Sequence, residues 1–274
     1  MPELPEVETI ARGLREGIAE RHSILQHRII KVKLLWPRTL AEPQPSQVAR
    51  LLKGRTIAGI TRRGKFLVFD LGGVSLLIHL RMSGDLFIRS GSAPLEKHDR
   101  LVLWLEKGKD VHQLAFNDTR KFGRVWVTRQ PENVLGGLGP EPLEDGLTPE
   151  GFHACLVKRK RLLKPLLLDQ SFLAGLGNIY TDEVLHLAKL HPLRRSDGLT
   201  EDESKRLLSA IRTTLREGIR RNGASIDWVY RGGDFQNHFR VYGRAGEACP
   251  VCGTPITRLV VGQRGTHVCE FCQK

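Results

Sequence analysis

The chain has 274 residues, of which 40% are hydrophobic and 27% charged. This composition excludes intrinsic disorder, and the length predicts two or three domains. No apolar run is long enough to cross a bilayer, and the first twenty residues carry five glutamates instead of an apolar leader, so we expect a cytoplasmic protein without membrane contact. The net charge of +13 favours a polyanionic partner such as nucleic acid. Ribosomal contact, membrane-surface binding or plain solubility would give the same charge.

The first predicted element is an amphipathic helix over residues 5–19. Apolar side chains recur there at helical spacing: Val7, Ile10, Ala11, Leu14 and Ile18. Pro5 suits the first helical position, while Glu6 and Glu8 suit the positive end of the helix dipole.

Two β-hairpins are predicted next. The stretch GKFLVFDLGGVSLLIHL places two apolar runs around Gly72-Gly73, and LVLWLEKGKDVHQLAF does the same around residues 107–109. An antiparallel sheet or sandwich therefore fits residues 20–130 better than alternating βαβ units.

The second half of the chain changes character after a stretch rich in proline and glycine at 131–150. Residues 150–222 read as helical, with a final helix face ended by Gly223, and residues 231–274 read as a small independent unit. The predicted fold is of the α+β class. The predicted division is an N-terminal β-sandwich domain (1–135), a linker (136–150), a helical domain (151–230) and a C-terminal finger (231–274).

Four of the five cysteines form two CxxC pairs sixteen residues apart: Cys249, Cys252, Cys269 and Cys272. This is the zinc-ribbon pattern, in which four thiolates close a structural site. Two disulfides or a redox pair are the alternatives, and neither suits an intracellular chain of this kind. Because a four-cysteine site has no open position, the zinc is expected to fold a hairpin and not to perform chemistry. Cys155 is predicted to be a small buried apolar residue.

Three features of this half suggest anion binding. Arg264 lies near the predicted hairpin tip, where a guanidinium can bind a phosphate. The GLGN sequence at 175–178 opens a helix, whose N-terminal N–H groups attract anions. The basic run 158–161, with Lys164, adds positive charge, although such a run is usually a solvated face.

Seven motifs in order make the chain resemble the formamidopyrimidine-DNA glycosylases, bacterial enzymes that excise 8-oxoguanine and cleave abasic sites. They span almost the whole chain: MPELPEVET, RRGKF (62–66), HLRMSG (79–84), DTRKFG (118–123), GLGNIYTDEVL (175–185), VYGR (241–244) and the finger with QRGTHVC. The resemblance implies a helix-two-turns-helix motif in the helical domain and a single structural Zn²⁺ with no organic cofactor. The related endonuclease VIII family shares the helical and zinc parts, but begins differently and lacks the Leu-Arg-Met and Arg-Lys-Phe segments.

The resemblance also implies the catalytic residues. Met1 would be removed so that Pro2 carries a nucleophilic amine, and an α-amino group has a pKa near ~8, against ~10.4 for lysine. Glu3 would act as general acid and base, which requires a carboxyl group that is taken out of water. Glu6 would support it, and Lys65 would contact the lesion phosphates and assist elimination. For Glu6 and Lys65 the alternatives are helix-start electrostatics and an edge-strand lysine.

DNA contacts are implied at a larger set of positions. Met82, Arg120 and Phe122 match a wedge that fills the gap left by an extruded nucleotide, although Met82 and Phe122 would otherwise be read as core residues. Ser225 is assigned to the lesion, within a loop of residues 225–242 that would close over the everted base. The other implied DNA contacts are His79, His98, Lys160, Asn178, Tyr242 and Arg264. For the two histidines the alternative is a packed or surface position without a DNA contact.

The function implied is base-excision repair of double-stranded DNA that contains oxidised purines or abasic sites, by a bacterial cytoplasmic monomer. Two other readings stay open at this point: a non-catalytic zinc-ribbon DNA-binding protein, and an enzyme of the endonuclease VIII type that acts on oxidised pyrimidines. One departure from the family is a connection at 20–35 that is a few residues longer than usual.

Overall fold

The computed structural model describes residues 1–17, 23–225 and 232–274. They divide into two compact units. Of the described residues, the first holds Met1–Pro2, Glu6–Gly137 and Ser225, and the second holds Glu3–Pro5, Leu138–Ala224 and Gly232–Lys274.

The N-terminal helix, α1, runs from Leu4 to Glu16. Its apolar face is buried in the core of the first unit as the spacing predicts: Val7, Ile10, Ala11 and Leu14. The helix ends three residues earlier than predicted. Gly17 follows it with a φ of +72°, a left-handed backbone conformation that does not occur within a right-handed helix. Ile18 and the start of the long connection predicted at 20–35 lie outside the described residues.

The first unit is a sandwich of two sheets. The strands are β1 (Arg28–Leu34), β2 (Leu40–Glu42), β3 (Gly59–Arg63), β4 (Phe66–Asp70), β5 (Ser75–His79), β6 (Gly84–Ser90), β7 (Asp99–Lys107), β8 (Asp110–Asp118) and β9 (Arg124–Thr128), with helices α2 (Pro45–Leu52) and α3 (Glu132–Leu135). One sheet has the order β1-β7-β8-β6 with all neighbours antiparallel. The other has the order β2-β9-β5-β4-β3, in which β2 and β9 run parallel and the other neighbours antiparallel. Both predicted hairpins are confirmed as β4–β5 and β7–β8.

Alternate residues from both sheets make one apolar core. Leu67 and Phe69 of β4 and Leu103 and Leu105 of β7 contribute to it with at most 2% of their surface exposed. This alternation is what a period of two along a strand requires when one face of each sheet is buried.

The second unit is built on four helices: α4 (Pro149–Arg159), α5 (Leu163–Leu168), α6 (Asn178–Ala188) and α7 (Glu201–Arg220). Thr200 and Glu203 form a capping box at the start of α7. After α7, Gly223 at φ +80° provides the predicted stop. The C-terminal finger is the hairpin of β10 (Thr257–Val261) and β11 (Arg264–Val268). These elements, with the sandwich, confirm the predicted α+β class.

Two local expectations change. Cys155 is exposed and not buried, because it lies on the outer side of α4, while Phe152 and Leu156 face the core. The proline- and glycine-rich stretch at 131–150 contains α3, and its Glu141 is 4% exposed. Among the described helices, none has the length and apolar composition needed to cross a membrane.

Candidate active site and metal centre

The carboxylate of Glu3 is held by the start of helix α6. Its Oε2 accepts a hydrogen bond from the backbone N–H of Gly177 at 2.5 Å, and its Oε1 accepts one from Ile179 at 2.9 Å. The next residue, Leu4, donates its N–H to the carbonyl of Gly175 at 3.1 Å. Glu3 is 2% exposed, so a short segment near the N-terminus is fixed inside the second unit with its charge directed at the positive end of a helix.

The glycines of the GLGN sequence explain this close approach. A Cβ on Gly177 would lie 2.5 Å from Oε1 of Glu3, and a Cβ on Gly175, at φ +99°, would lie 2.5 Å from Leu4. The sequence correctly predicts that these N–H groups bind an anion. The anion is the carboxylate of Glu3, however, and a phosphate cannot occupy the same donors.

The other predicted catalytic residues belong to the first unit. Pro2 is buried, whereas Met1 before it is 48% exposed. Glu6 is 2% exposed on the first turn of α1, and Lys65 is 5% exposed at the turn between β3 and β4. Charged side chains of this kind are rarely buried unless they are paired.

His79 is packed inside the first unit. The residue is 8% exposed, and its Nδ1 accepts the N–H of Arg81 at 3.0 Å. Burial, with help from the charges of Arg81 and Lys65, lowers the pKa of His79 to about 3. The ring is thus a neutral, packed group beside Lys65. His98 is half-buried, and its carbonyl accepts the N–H of Asp118.

The three predicted wedge residues lie in two loops that one buried aspartate joins. Asp118, which is fully buried, accepts a hydrogen bond from the hydroxyl of Ser83, next to Met82, through Oδ1. The same carboxylate accepts the N–H of Arg120 at 3.2 Å and the N–H of Gly123 at 2.7 Å.

The wedge side chains themselves reach into solvent. Met82 is 40% exposed and Phe122 51% exposed, and the guanidinium of Arg120 lies 5.3 Å from the ring centroid of Phe122. They are not core residues, contrary to what residue type alone suggests.

The predicted phosphate-binding pair meets at the finger hairpin. The turn of the hairpin is Gly262-Gln263, with φ values of +56° and +61°, and the exposed Arg264 follows it directly. Asn178, the first residue of α6, donates its Nδ2–H to the carbonyl of Gly265 at 3.0 Å. This hydrogen bond ties Asn178 to the residue after Arg264. Lys160 is exposed at the end of α4.

A buried ion pair beneath this hairpin was not predicted. Lys164, read from the sequence as part of an exposed basic run, is fully buried and donates to Oδ1 of Asp182 at 2.5 Å and to the carbonyl of Gly265 at 3.1 Å. Burial lowers the pKa of Lys164, and the carboxylate of Asp182 opposes that shift. The sequence signal that could have distinguished Lys164 is its place inside the apolar run LLKPLLL at 162–168, whereas residues 158–161 are charged throughout and solvated.

Glu183 anchors the segment that precedes the finger. Its carboxylate accepts three consecutive backbone N–H groups, from Arg240 (2.8 Å), Val241 (3.0 Å) and Tyr242 (2.8 Å). Burial raises the pKa of Glu183, while the three donors oppose the rise. The ring of Tyr242 is half-buried between Phe239 and His267. Ser225 is half-buried, and residues 226–231 of the predicted loop lie outside the described residues.

The four C-terminal cysteines converge as a metal site requires. Their sulfur atoms lie within 4.8 Å of one another, and none is in a disulfide. The Cys249–Cys272 and Cys252–Cys269 sulfur distances are 3.9 and 3.4 Å, close to the ~3.8 Å edge of a tetrahedron with Zn–S bonds of about 2.3 Å. The cluster fits one structural zinc, which these four thiolates would hold.

Comparison with known proteins decides the family. Three family models match in succession: the formamidopyrimidine-DNA glycosylase N-terminal domain over residues 1–125, its H2TH domain over 138–229, and the zinc finger found in FPG and IleRS over 246–274. The formamidopyrimidine-DNA glycosylase of Herpetosiphon aurantiacus is 41% identical over the whole of both chains. The chain belongs to the formamidopyrimidine-DNA glycosylase family. The relative from Chloroflexus aurantiacus is 44% identical and covers 100% of this chain and 98% of its own.

Solved structures of this family share the fold. Lactococcus lactis Fpg in complex with DNA that contains N7-benzyl-Fapy-dG is 39% identical, with a TM-score of 0.90 over the whole of both chains. The same protein with DNA that contains an abasic site gives a TM-score of 0.89 at 39% identity, over 99% of both chains. The chain is thus a member of a family of DNA glycosylases that carry a zinc finger.

Proposed function

We propose that this chain is a bifunctional DNA glycosylase and abasic-site lyase that removes oxidised purines from duplex DNA through an amine at Pro2. The observation that carries the proposal is the buried carboxylate of Glu3, the residue adjacent to Pro2. The backbone N–H groups of Gly177 and Ile179 hold this carboxylate in place. A DNA-binding protein without chemistry has no use for a buried carboxylate beside an N-terminal amine.

The proposed reaction begins after loss of Met1. The secondary amine of Pro2 attacks C1′ of the damaged nucleotide, the glycosidic bond breaks, and the base leaves with its electron pair and takes up a proton. Opening of the sugar ring gives an iminium between Pro2 and C1′. The iminium nitrogen has no N–H to lose, so the cation persists and acts as an electron sink. Loss of a C2′ proton then breaks the bond to the 3′ phosphate, and loss of a C4′ proton breaks the bond to the 5′ phosphate.

Glu3 would serve as the proton carrier in these steps. The N–H groups of Gly177 and Ile179 hold its two oxygens in place, and the carboxylate would accept the proton that the Pro2 amine must give up. The neutral carboxyl group can then protonate the oxygen of the opening sugar ring. Because both carboxylate oxygens are held by backbone, Glu3 keeps one orientation through the cycle, which favours proton transfer over a short fixed distance. Glu6, one turn further along α1, would support these proton transfers.

DNA binding is assigned to both units. In the first, Lys65 would neutralise phosphates at the lesion, with lesser contacts from His79 and His98. The exposed Met82, Arg120 and Phe122 would fill the space of the extruded nucleotide. In the second, Arg264 and Asn178 would bind phosphates, with further contacts from Lys160 and Tyr242. Ser225 is proposed to contact the lesion.

The proposed organisation keeps the boundaries expected from the sequence: a catalytic domain at 1–135, a linker at 136–150, a helical DNA-binding domain at 151–230 and the finger at 231–274. A bacterial cytoplasmic location and a monomeric state stay predictions.

A second candidate function is excision of oxidised pyrimidines. It is favoured by one similar structure, Lactococcus lactis Fpg with DNA that contains an oxidised pyrimidine, which is 38% identical to this chain with a TM-score of 0.90. Parallel cleavage assays on 8-oxoguanine and thymine glycol duplexes distinguish the two. We expect faster cleavage of the 8-oxoguanine duplex.

Borohydride trapping on an 8-oxoguanine duplex tests the proposal. Reduction of the iminium should link the wild-type chain to DNA, while Pro2→Gly and a form with extra residues before Pro2 should give little or no adduct. Glu3→Gln should retain DNA affinity but lose base excision. Absence of an adduct with the wild type would exclude the lyase mechanism.

A further inference from the structure

One face of helix α6 contacts the finger at three successive turns. Asn178, Asp182 and His186 are four residues apart and therefore lie on the same side of the helix. Asn178 bonds to the carbonyl of Gly265, and Asp182 accepts the backbone N–H of His267 at 2.9 Å. The third residue of the series, His186, contacts the metal cluster itself.

The imidazole of His186 lies against one zinc-binding sulfur. Its Nε2 is 3.3 Å from Sγ of Cys249, and both residues are 3% exposed. The same sulfur accepts the backbone N–H of Val251 at 3.5 Å. A thiolate bound to a metal can only accept hydrogen bonds, so the imidazole must be the donor.

The rest of the His186 environment offers no other reason for a histidine. Among the described residues, its Nδ1 has no hydrogen-bond partner although it is buried. Burying a ring nitrogen without a partner costs free energy, and an apolar ring would avoid this cost. Within the described part of the chain, the contact from Nε2 to Sγ of Cys249 is the one side-chain interaction of His186 that a phenylalanine could not make.

We propose that His186 is an outer-sphere residue of the zinc site that donates its Nε2–H to the thiolate of Cys249 and thereby fixes the metal cluster to helix α6. His186 is not a ligand, because the mutually close donor atoms in the described part of the chain are the four sulfurs alone. This role concerns retention of zinc, so it goes beyond the proposed reaction on DNA and does not depend on it.

The charge balance explains why a donor is needed there. Four thiolates around one Zn²⁺ leave a net charge of −2, in a place where Cys249 and Cys269 are shielded from water. N–H donors to the sulfurs offset that charge, and loss of such an outer-sphere partner typically weakens metal binding about 10–100-fold.

The experiment measures zinc release from the full-length, zinc-loaded chain in the presence of excess chelator and a zinc-sensitive dye. His186→Phe keeps an aromatic ring but has no donor, and it should release zinc about ten-fold faster or more. His186→Gln places an amide N–H near the position of Nε2 and should stay within a few-fold of wild type. His191→Phe is the matched control, because His191 contacts Glu270 at 3.3 Å and no cysteine. Its release rate should not change.

A second measurement uses the wild-type chain, so its result does not depend on whether the variants fold. With a spin-half cadmium isotope in place of zinc, a hydrogen bond to the thiolate should give a scalar coupling between the Nε2–H proton of His186 and the metal nucleus. The proposal is overturned if that coupling is absent, if His186→Phe holds zinc as wild type does, or if His186→Gln and His186→Phe lose zinc equally fast.

Discussion

The carboxylate of Glu3 binds the backbone N–H of Gly177 at 2.5 Å, although 174 positions separate the two residues in the chain. This contact joins the residue beside the proposed nucleophile to the start of helix α6. The orientation of Glu3 therefore depends on a residue that contributes only backbone, and on the absence of a side chain there.

Gly177→Ala should impair base excision without unfolding the chain. Gly177 has a φ of −129°, which alanine adopts without strain, but the new Cβ would lie 2.5 Å from Oε1 of Glu3. The carboxylate must move, and loss of well-positioned proton transfer typically lowers a rate by about 10²–10⁴-fold. Single-turnover excision on an 8-oxoguanine duplex measures the effect.

The control for this change is Gly198→Ala, where the added Cβ meets nothing within 4 Å. Its excision rate should equal that of wild type. An unchanged rate in Gly177→Ala would mean that the position of Glu3 is not critical to the reaction.

Asp118→Asn should weaken the wedge without removing any residue of it. The fully buried carboxylate accepts hydrogen bonds from Ser83, Arg120 and Gly123, and an amide can replace only one of its two acceptor oxygens. We expect nucleotide extrusion to become about ten-fold slower or less favourable, since a lost hydrogen bond of this kind costs about 1–3 kcal/mol. Fluorescence of 2-aminopurine beside the lesion reports extrusion.

Thermal unfolding serves as the check on that variant. If Asp118→Asn unfolds at the wild-type temperature and extrudes the nucleotide normally, the two loops do not need their shared aspartate.

The helices and strands of this fold could be predicted from local sequence patterns. Contacts between residues that are distant in the chain could not. The hairpins at Gly72-Gly73 and at 107–109 follow from alternation and turn residues, which act over a few positions. The zinc cluster follows from cysteine spacing. The anchoring of Glu3 could not be predicted, because a helix N-terminus attracts any anion and the sequence does not say which one reaches it. Lys164 was misread for a similar reason, since its partner Asp182 is eighteen residues away.

His79 should make the chain sensitive to mild acid. Its pKa is lowered to about 3 in the folded state from an ordinary value of 6.5, so the neutral buried ring is fully compatible with folding above pH ~6.5. As the pH falls from there toward 3, the unfolded chain takes up a proton that the folded chain does not, and stability drops by about 1.4 kcal/mol per pH unit.

His79→Asn should reduce this acid sensitivity, because its Oδ1 can still accept the N–H of Arg81 but does not titrate. Urea unfolding between pH 7 and pH 4 measures the free energy of unfolding of both forms. His153→Asn is the comparison, as His153 is only half-buried against Ser204. Parallel pH profiles for wild type and His79→Asn would contradict the assignment.

Lys164→Met should destabilise the second unit strongly. The change leaves the fully buried carboxyl group of Asp182 without its lysine partner, with the N–H of His267 still donating to it. Removal of one partner of a buried pair typically costs about 3–5 kcal/mol. The double change Lys164→Met with Asp182→Asn should recover much of that loss, because the amide oxygen keeps the bond from His267 without a buried charge. Lys158→Met is the control, because Lys158 is solvated in the last turn of α4. It should alter the free energy of unfolding by less than about 0.5 kcal/mol. Urea unfolding of wild type, Lys164→Met, Asp182→Asn and the double variant gives the coupling between the two sites. Strict additivity of the two single changes would show that Lys164 and Asp182 do not stabilise each other.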